Sequence, residues 1–133
     1  MCLLAFVALI ATGCGGGGAL SKKAFQKQAQ STESLAAEAS LVAQGAAQGR
    51  STDPFVRVHA QYLQKAAKTI EQELGSARAS GSLEAKRIRG LRLVLTVGEE
   101  LGRLHRAPSD REVARQLQSV FTKDAADAKS LAK

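Results

Sequence analysis

Along most of this chain apolar residues return every third or fourth position, and no stretch alternates apolar and polar as a half-buried strand would. That period confines the chain to amphipathic helices. Glycine, proline and serine break the pattern into four stretches. The first, about 20–47, carries Phe25, Ala29, Thr32, Leu35, Ala39, Val42 and Ala46 as one narrow stripe, and Gly49-Arg50-Ser51-Thr52 reads as a turn. The second opens at Asp53-Pro54, where Asp suits the N-cap and Pro the first helical position, which needs no N–H. Its face is Phe55, Val56, His59, Tyr62, Leu63, Ala66, Ile70 and Leu74, and the segment from Gly75 to Ser82 ends it. The third runs from about Leu83 to Arg106 through Leu91, Val94, Leu95, Val97, Leu101 and Leu104, and Pro108 forces a stop. The fourth opens on Ser109-Asp110-Arg111-Glu112, which reads as a capping box with Ser109 as the cap. Val113, Leu117, Val120, Phe121, Ala125, Ala128 and Leu131 continue it.

Four amphipathic helices of similar length with short connections are most simply an all-α, antiparallel up-down four-helix bundle. Composition adds a constraint on how they pack. Of the 133 residues 24 are Ala, aromatics make up 4% and Trp is absent, so the helices must approach closely through small side chains. A three-helix core with a loosely held first helix is the alternative, because that stretch carries many Ala and few large apolar groups. A domain of this size has little interior left for an enzyme pocket once its own core is built. None of the four stretches is apolar on all sides, so none reads as a membrane span.

The front of the chain differs in kind. Leu3 to Thr12 is an unbroken apolar and small run. It is too short to cross a bilayer, which takes about 20 residues, and has the length of a secretory signal core, ~7–15 residues. Ala11-Thr12-Gly13-Cys14 follows, then Gly15 to Gly18. This segment resembles the lipobox of bacterial membrane lipoproteins, in which small residues precede an essential Cys. The resemblance implies a diacylglycerol on the Cys14 sulfur and cleavage between Gly13 and Cys14. It further implies a lipid-anchored protein on the exported face of a membrane in the bacterial cell envelope. Ala11 stands where that motif usually has Leu, and Met1-Cys2 carries no basic residue. The organisation expected is a signal peptide at 1–13, an acylated Cys and flexible glycine tether at 14–20, and a helical domain at 21–133. Cys2 and Cys14 are the only cysteines, so the helical part has no disulfide or zinc framework open to it.

The formal net charge is +7, and the leader holds none of it. In an up-down bundle the start of helix one, the second loop and the C-terminus share one end. Splitting each helix at its midpoint gives that end twelve Lys and Arg against six Asp and Glu, while the other end has seven against six. Lys22, Lys23, Lys27, Lys86, Arg87, Arg89, Lys129 and Lys133 are the candidates for contact with an anionic bilayer or cell-wall polymer. Nucleic acid is not expected as a partner, since stacking aromatics are almost absent.

His59 and His105 are the only side chains whose ordinary pKa falls near neutrality. Antiparallel packing would bring both to the far end of the bundle, with Tyr62 one turn from His59. These three residues could hold a haem, a copper ion or a small ligand between helices. The paired Glu-x-x-His of di-iron bundles and the Cys-x-x-Cys-His of attached haem are both missing. No resident cofactor is expected, and no serine has a neighbouring histidine that would make it a nucleophile. Glu73 is placed to pair with Arg87 across the second loop. The function expected is non-catalytic: a binding or scaffolding module with a protein partner of unknown identity, or alternatively a carrier using His59 and His105.

Overall fold

A computed structural model describes residues 18–133. The expected signal peptide, Cys14 and the tether as far as Gly17 lie outside the described residues. Four helices follow one another: α1 (Lys22–Ala47), α2 (Asp53–Ser76), α3 (Gly81–Arg106) and α4 (Arg111–Leu131). They form the all-α, up-down four-helix bundle that the apolar period dictates.

Each helix buries a stripe in alternating steps of four and three. On α1 it is Phe25, Ala29, Thr32, Ala36, Ala39, Ala43 and Ala46; on α2 it is Val56, Ala60, Leu63, Ala67, Ile70 and Leu74. On α3 the steps fall on Gly90, Val94, Val97, Leu101 and Leu104, and on α4 on Ala114, Leu117, Phe121, Asp124, Ala128 and Leu131. This is the repeat that sets side chains of one helix between those of its neighbour. The α2 face is therefore rotated from the expected one. Phe55 and Tyr62 lie outside at 46% and 66% exposure, while Ala60 and Ala67 are buried. Leu95 on α3 is likewise exposed. At these positions of α2 the interior takes a methyl group, and the buried rings of the bundle are Phe25 on α1 and Phe121 on α4.

The most extensive packing joins α1 to α4 and α2 to α3, and α2 does not meet α4. The molecule is thus two tight helix pairs laid together, with wider seams where α1 meets α2 and α3 meets α4. The alternative of a loose first helix is overturned, because α1 buries nine residues and makes the largest share of the packing. Across the diagonal, α1 also touches α3, where a Cβ on Gly90 would stand 3.2 Å from the Phe25 ring. A side chain at this position would press on that ring by a few tenths of an ångström, which glycine avoids.

The caps depart from expectation at two helices. Asp110, not Ser109, caps α4: its carboxylate accepts from the amides of Glu112 and Val113, each at 3.0 Å. Thr52 precedes α2 without a side-chain cap bond, and Asp53 is the first helical residue. Ser21 caps α1, accepting from Ala24 N–H at 3.0 Å. Gly49 at φ 67° turns the chain out of α1. At the second connection α2 runs on through Gly75 to Ser76 and α3 starts at Gly81, leaving a loop of residues 77–80.

That loop also bonds the residues just ahead of α1. Leu20 N–H donates to the Arg78 carbonyl at 2.7 Å, and Arg78 N–H donates to the Gly18 carbonyl at 3.2 Å. The two bonds form a single parallel bridge at Ala19 and Arg78. They tie the point of chain entry to the end of the bundle that carries the α2–α3 loop.

Candidate functional site

At this end lie the start of α1, the α2–α3 loop and the last turns of α4. Lys22, Lys23, Lys27, Arg89, Lys129 and Lys133 are exposed there, and Lys86 is half-buried. None of these seven makes an ion pair among the described residues, so their charge faces outward. Arg87 does not belong with them. Its guanidinium holds both carboxylate oxygens of Glu84 at 2.7 and 2.8 Å and donates to the Leu74 carbonyl at 2.7 Å, closing the C-terminal end of α2. The bond to Arg87 lowers the Glu84 pKa, and the same bond raises that of Arg87. The expected Glu73–Arg87 pair is therefore replaced by Glu84–Arg87, and Glu73 instead accepts from the Gln28 side-chain amide on α1. A partner three residues away on the same helix costs less ordering than one across a loop.

The α3–α4 seam opens beside this end as a groove of about 510 Å³. Arg89, Arg92 and Thr96 line one wall, and Lys123, Asp127 and Ser130 the other. Lys123 and Asp127 pair at 2.7 Å. Asp124 also lines the groove, yet its side chain is packed into the bundle at 5% exposure, and its Oδ2 has no hydrogen-bond partner among the described residues. Burial pushes the Asp124 carboxyl above the ordinary aspartate value; Lys123 opposes the shift, and Asp127 and Glu100 add to it. The only other buried polar side chain among the described residues, Thr32, is satisfied by donating to the Gln28 carbonyl at 2.9 Å. A buried, unsatisfied carboxylate is costly, and native interiors hold few of them.

Asp124 is a functional candidate absent from the sequence-based expectations, although the chain carries its signal. It falls on the four-three steps between Phe121 and Ala128, where an apolar residue belongs. Neighbouring Ala125 was assigned to the face instead, and the structure leaves it only half-buried.

His59 and His105 come to the same end of the bundle, away from the loop 77–80, and Tyr62 lines a different seam. The His59 ring stacks on Phe55, with centroids 4.2 Å apart. His105 Nδ1–H donates to the Arg57 carbonyl at 3.1 Å, near the opposite termini of α3 and α2. Tyr62 lines the α1–α2 seam, whose walls include neither histidine. Among the described residues there is no group of three His, Cys, Asp or Glu arranged to hold a metal ion. No helix there is long and apolar enough to cross a membrane. Compared with protein-family models, curated proteins and solved structures, the chain matches none.

Proposed function

We propose that this chain is a lipid-anchored protein of the bacterial cell envelope, acting as a non-catalytic binding or scaffolding module at the membrane face. In this reading residues 1–13 are a signal peptide removed on export, Cys14 carries the diacylglycerol, and 14–20 join it to the bundle.

The observation that supports it is the clip between Gly18–Leu20 and Arg78. From Cys14 to Gly18 is four residues, a reach of at most ~14 Å. An anchor so short holds the bundle by the end where the chain enters. That end is the basic one, and an anionic surface attracts each nearby Lys or Arg by about 1 kcal/mol. Anchor and charge therefore favour the same orientation, with the far end presented to a protein partner.

Intact-mass analysis of the protein from native cells tests the anchor. The expected species begins at Cys14 and carries a diacylglyceryl thioether; an uncleaved, unmodified polypeptide free in the cytosol overturns the reading. The charge argument has its own test in vesicle binding by unlipidated residues 18–133. Preference for anionic over neutral lipid, weakening with added salt, is expected. Equal binding to both removes the surface-contact part of the proposal and leaves the anchor to be judged by mass alone.

A further inference from the structure

The α3–α4 groove has two halves of opposite charge that do not satisfy one another. On α3, Arg89 and Arg92 sit one turn apart and line the groove, and neither makes an ion pair among the described residues. On α4, Asp124 contributes a carboxylate with one oxygen lacking any donor. The Lys123 ammonium, the nearest cation in sequence, is already bonded to Asp127 at 2.7 Å. The seam stays open, at about 510 Å³, with Arg89 and Arg92 on one wall and Asp124 on the other.

We infer that this groove binds a zwitterion in which a primary ammonium is joined to a phosphate or carboxylate. The ammonium donates to Asp124, and the anionic group accepts from Arg89 and Arg92. Guanidinium groups suit such an anion because their N–H donors lie in a plane that matches its oxygens. Thr96 and Ser130, also lining the groove, offer hydroxyls to either half. A quaternary ammonium has no N–H to give, so Asp124 selects against it.

Two sources carry this chemistry: the phosphoethanolamine head of a phospholipid, or a free small zwitterion. The groove ends at Ser130 and Leu131, in the last turn of α4, at the end where the chain enters. The lipid source rests on the anchored orientation proposed above; the site itself does not.

The test uses the full-length protein purified in a non-ionic detergent and titrated with O-phosphoethanolamine or phosphocholine, followed by amide NMR shifts. O-phosphoethanolamine is expected to shift residues of the groove and to bind at least about tenfold more tightly than phosphocholine. Asp124→Asn should abolish that preference while leaving the rest of the spectrum in place. Arg89→Gln with Arg92→Gln should weaken both compounds. Equal response to the two compounds, or an unchanged preference in Asp124→Asn, overturns the proposal. Phosphatidylcholine vesicles with and without phosphatidylethanolamine then separate the sources. The same groove shifts on adding phosphatidylethanolamine assign the lipid head; shifts with the soluble compound alone assign a free zwitterion. Because the soluble titration does not depend on acylation at Cys14, an absent anchor and an absent site give different results.

Discussion

A carboxylate set among the side chains of a helix interface, with an oxygen that meets no donor, opposes folding whenever it is charged. Burial raises the Asp124 pKa above its ordinary value of 3.8, so the folded protein holds that proton more tightly than the unfolded chain. By linkage, its contribution to stability is most favourable at low pH and declines as pH rises from about 4 through the raised value. Asp124→Asn removes the decline. At neutral pH it is expected to be roughly 1–3 kcal/mol more stable than the parent, with the gap closing toward about pH 4, in thermal melts across that range. A parent whose melting temperature tracks the variant at every pH would show that the carboxylate carries no such cost. The exchange of aromatic for alanine on α2 is a second matter at this scale. Tyr62→Ser, at a position 66% exposed, should shift the urea midpoint by the equivalent of less than about 0.5 kcal/mol. Ala67→Leu, forcing bulk into the α2–α3 contact, should cost about 1–3 kcal/mol.

For single helices, the decisive residues are at the ends. Asp110 satisfies two amides of α4 that would otherwise be without acceptors, so Asp110→Ala should destabilise by about 1 kcal/mol. Ser109→Ala, outside the helix, should change denaturant unfolding little; a reversal of that order would restore Ser109 as the cap. The capping signal was legible as a cluster, and the error was of one residue, because Ser and Asp are both good caps and stand side by side. Helix existence was legible for a stronger reason: four runs of apolar residues at helical spacing leave no other way to bury them. The rotation of each face was less so. Weight given to Phe55 and Tyr62 pulled the α2 stripe away from Ala60 and Ala67, although the latter keep the four-three rhythm. The five ion pairs of the described residues all join positions three or four apart on one helix, so they support helices and do not choose partners among them.

For the whole molecule, α1 belongs to the core as fully as α4, so unfolding is expected as a single event. Far-UV circular dichroism and hydrogen exchange should report one transition, with the central amides of α1 and α4 protected to the same degree. Early exchange throughout α1 would restore the three-helix core. The amino-acid sequence by itself determined the helical class, the number and approximate limits of the helices, and the concentration of positive charge at one end. Each of these follows from spacing along the chain, which a helix converts directly into a face or a terminus. Only the tertiary structure decided which helices pair most closely, that Ala60 and Ala67 take the α2 interior in place of Phe55 and Tyr62, and that Arg87 turns inward. It alone made Asp124 a buried acceptor opposite Arg89 and Arg92. These depend on residues far apart in the chain meeting across a seam, 35 positions for Arg89 and Asp124 and 82 for Ser40 and Thr122, and no local pattern encodes how far such a seam stays open.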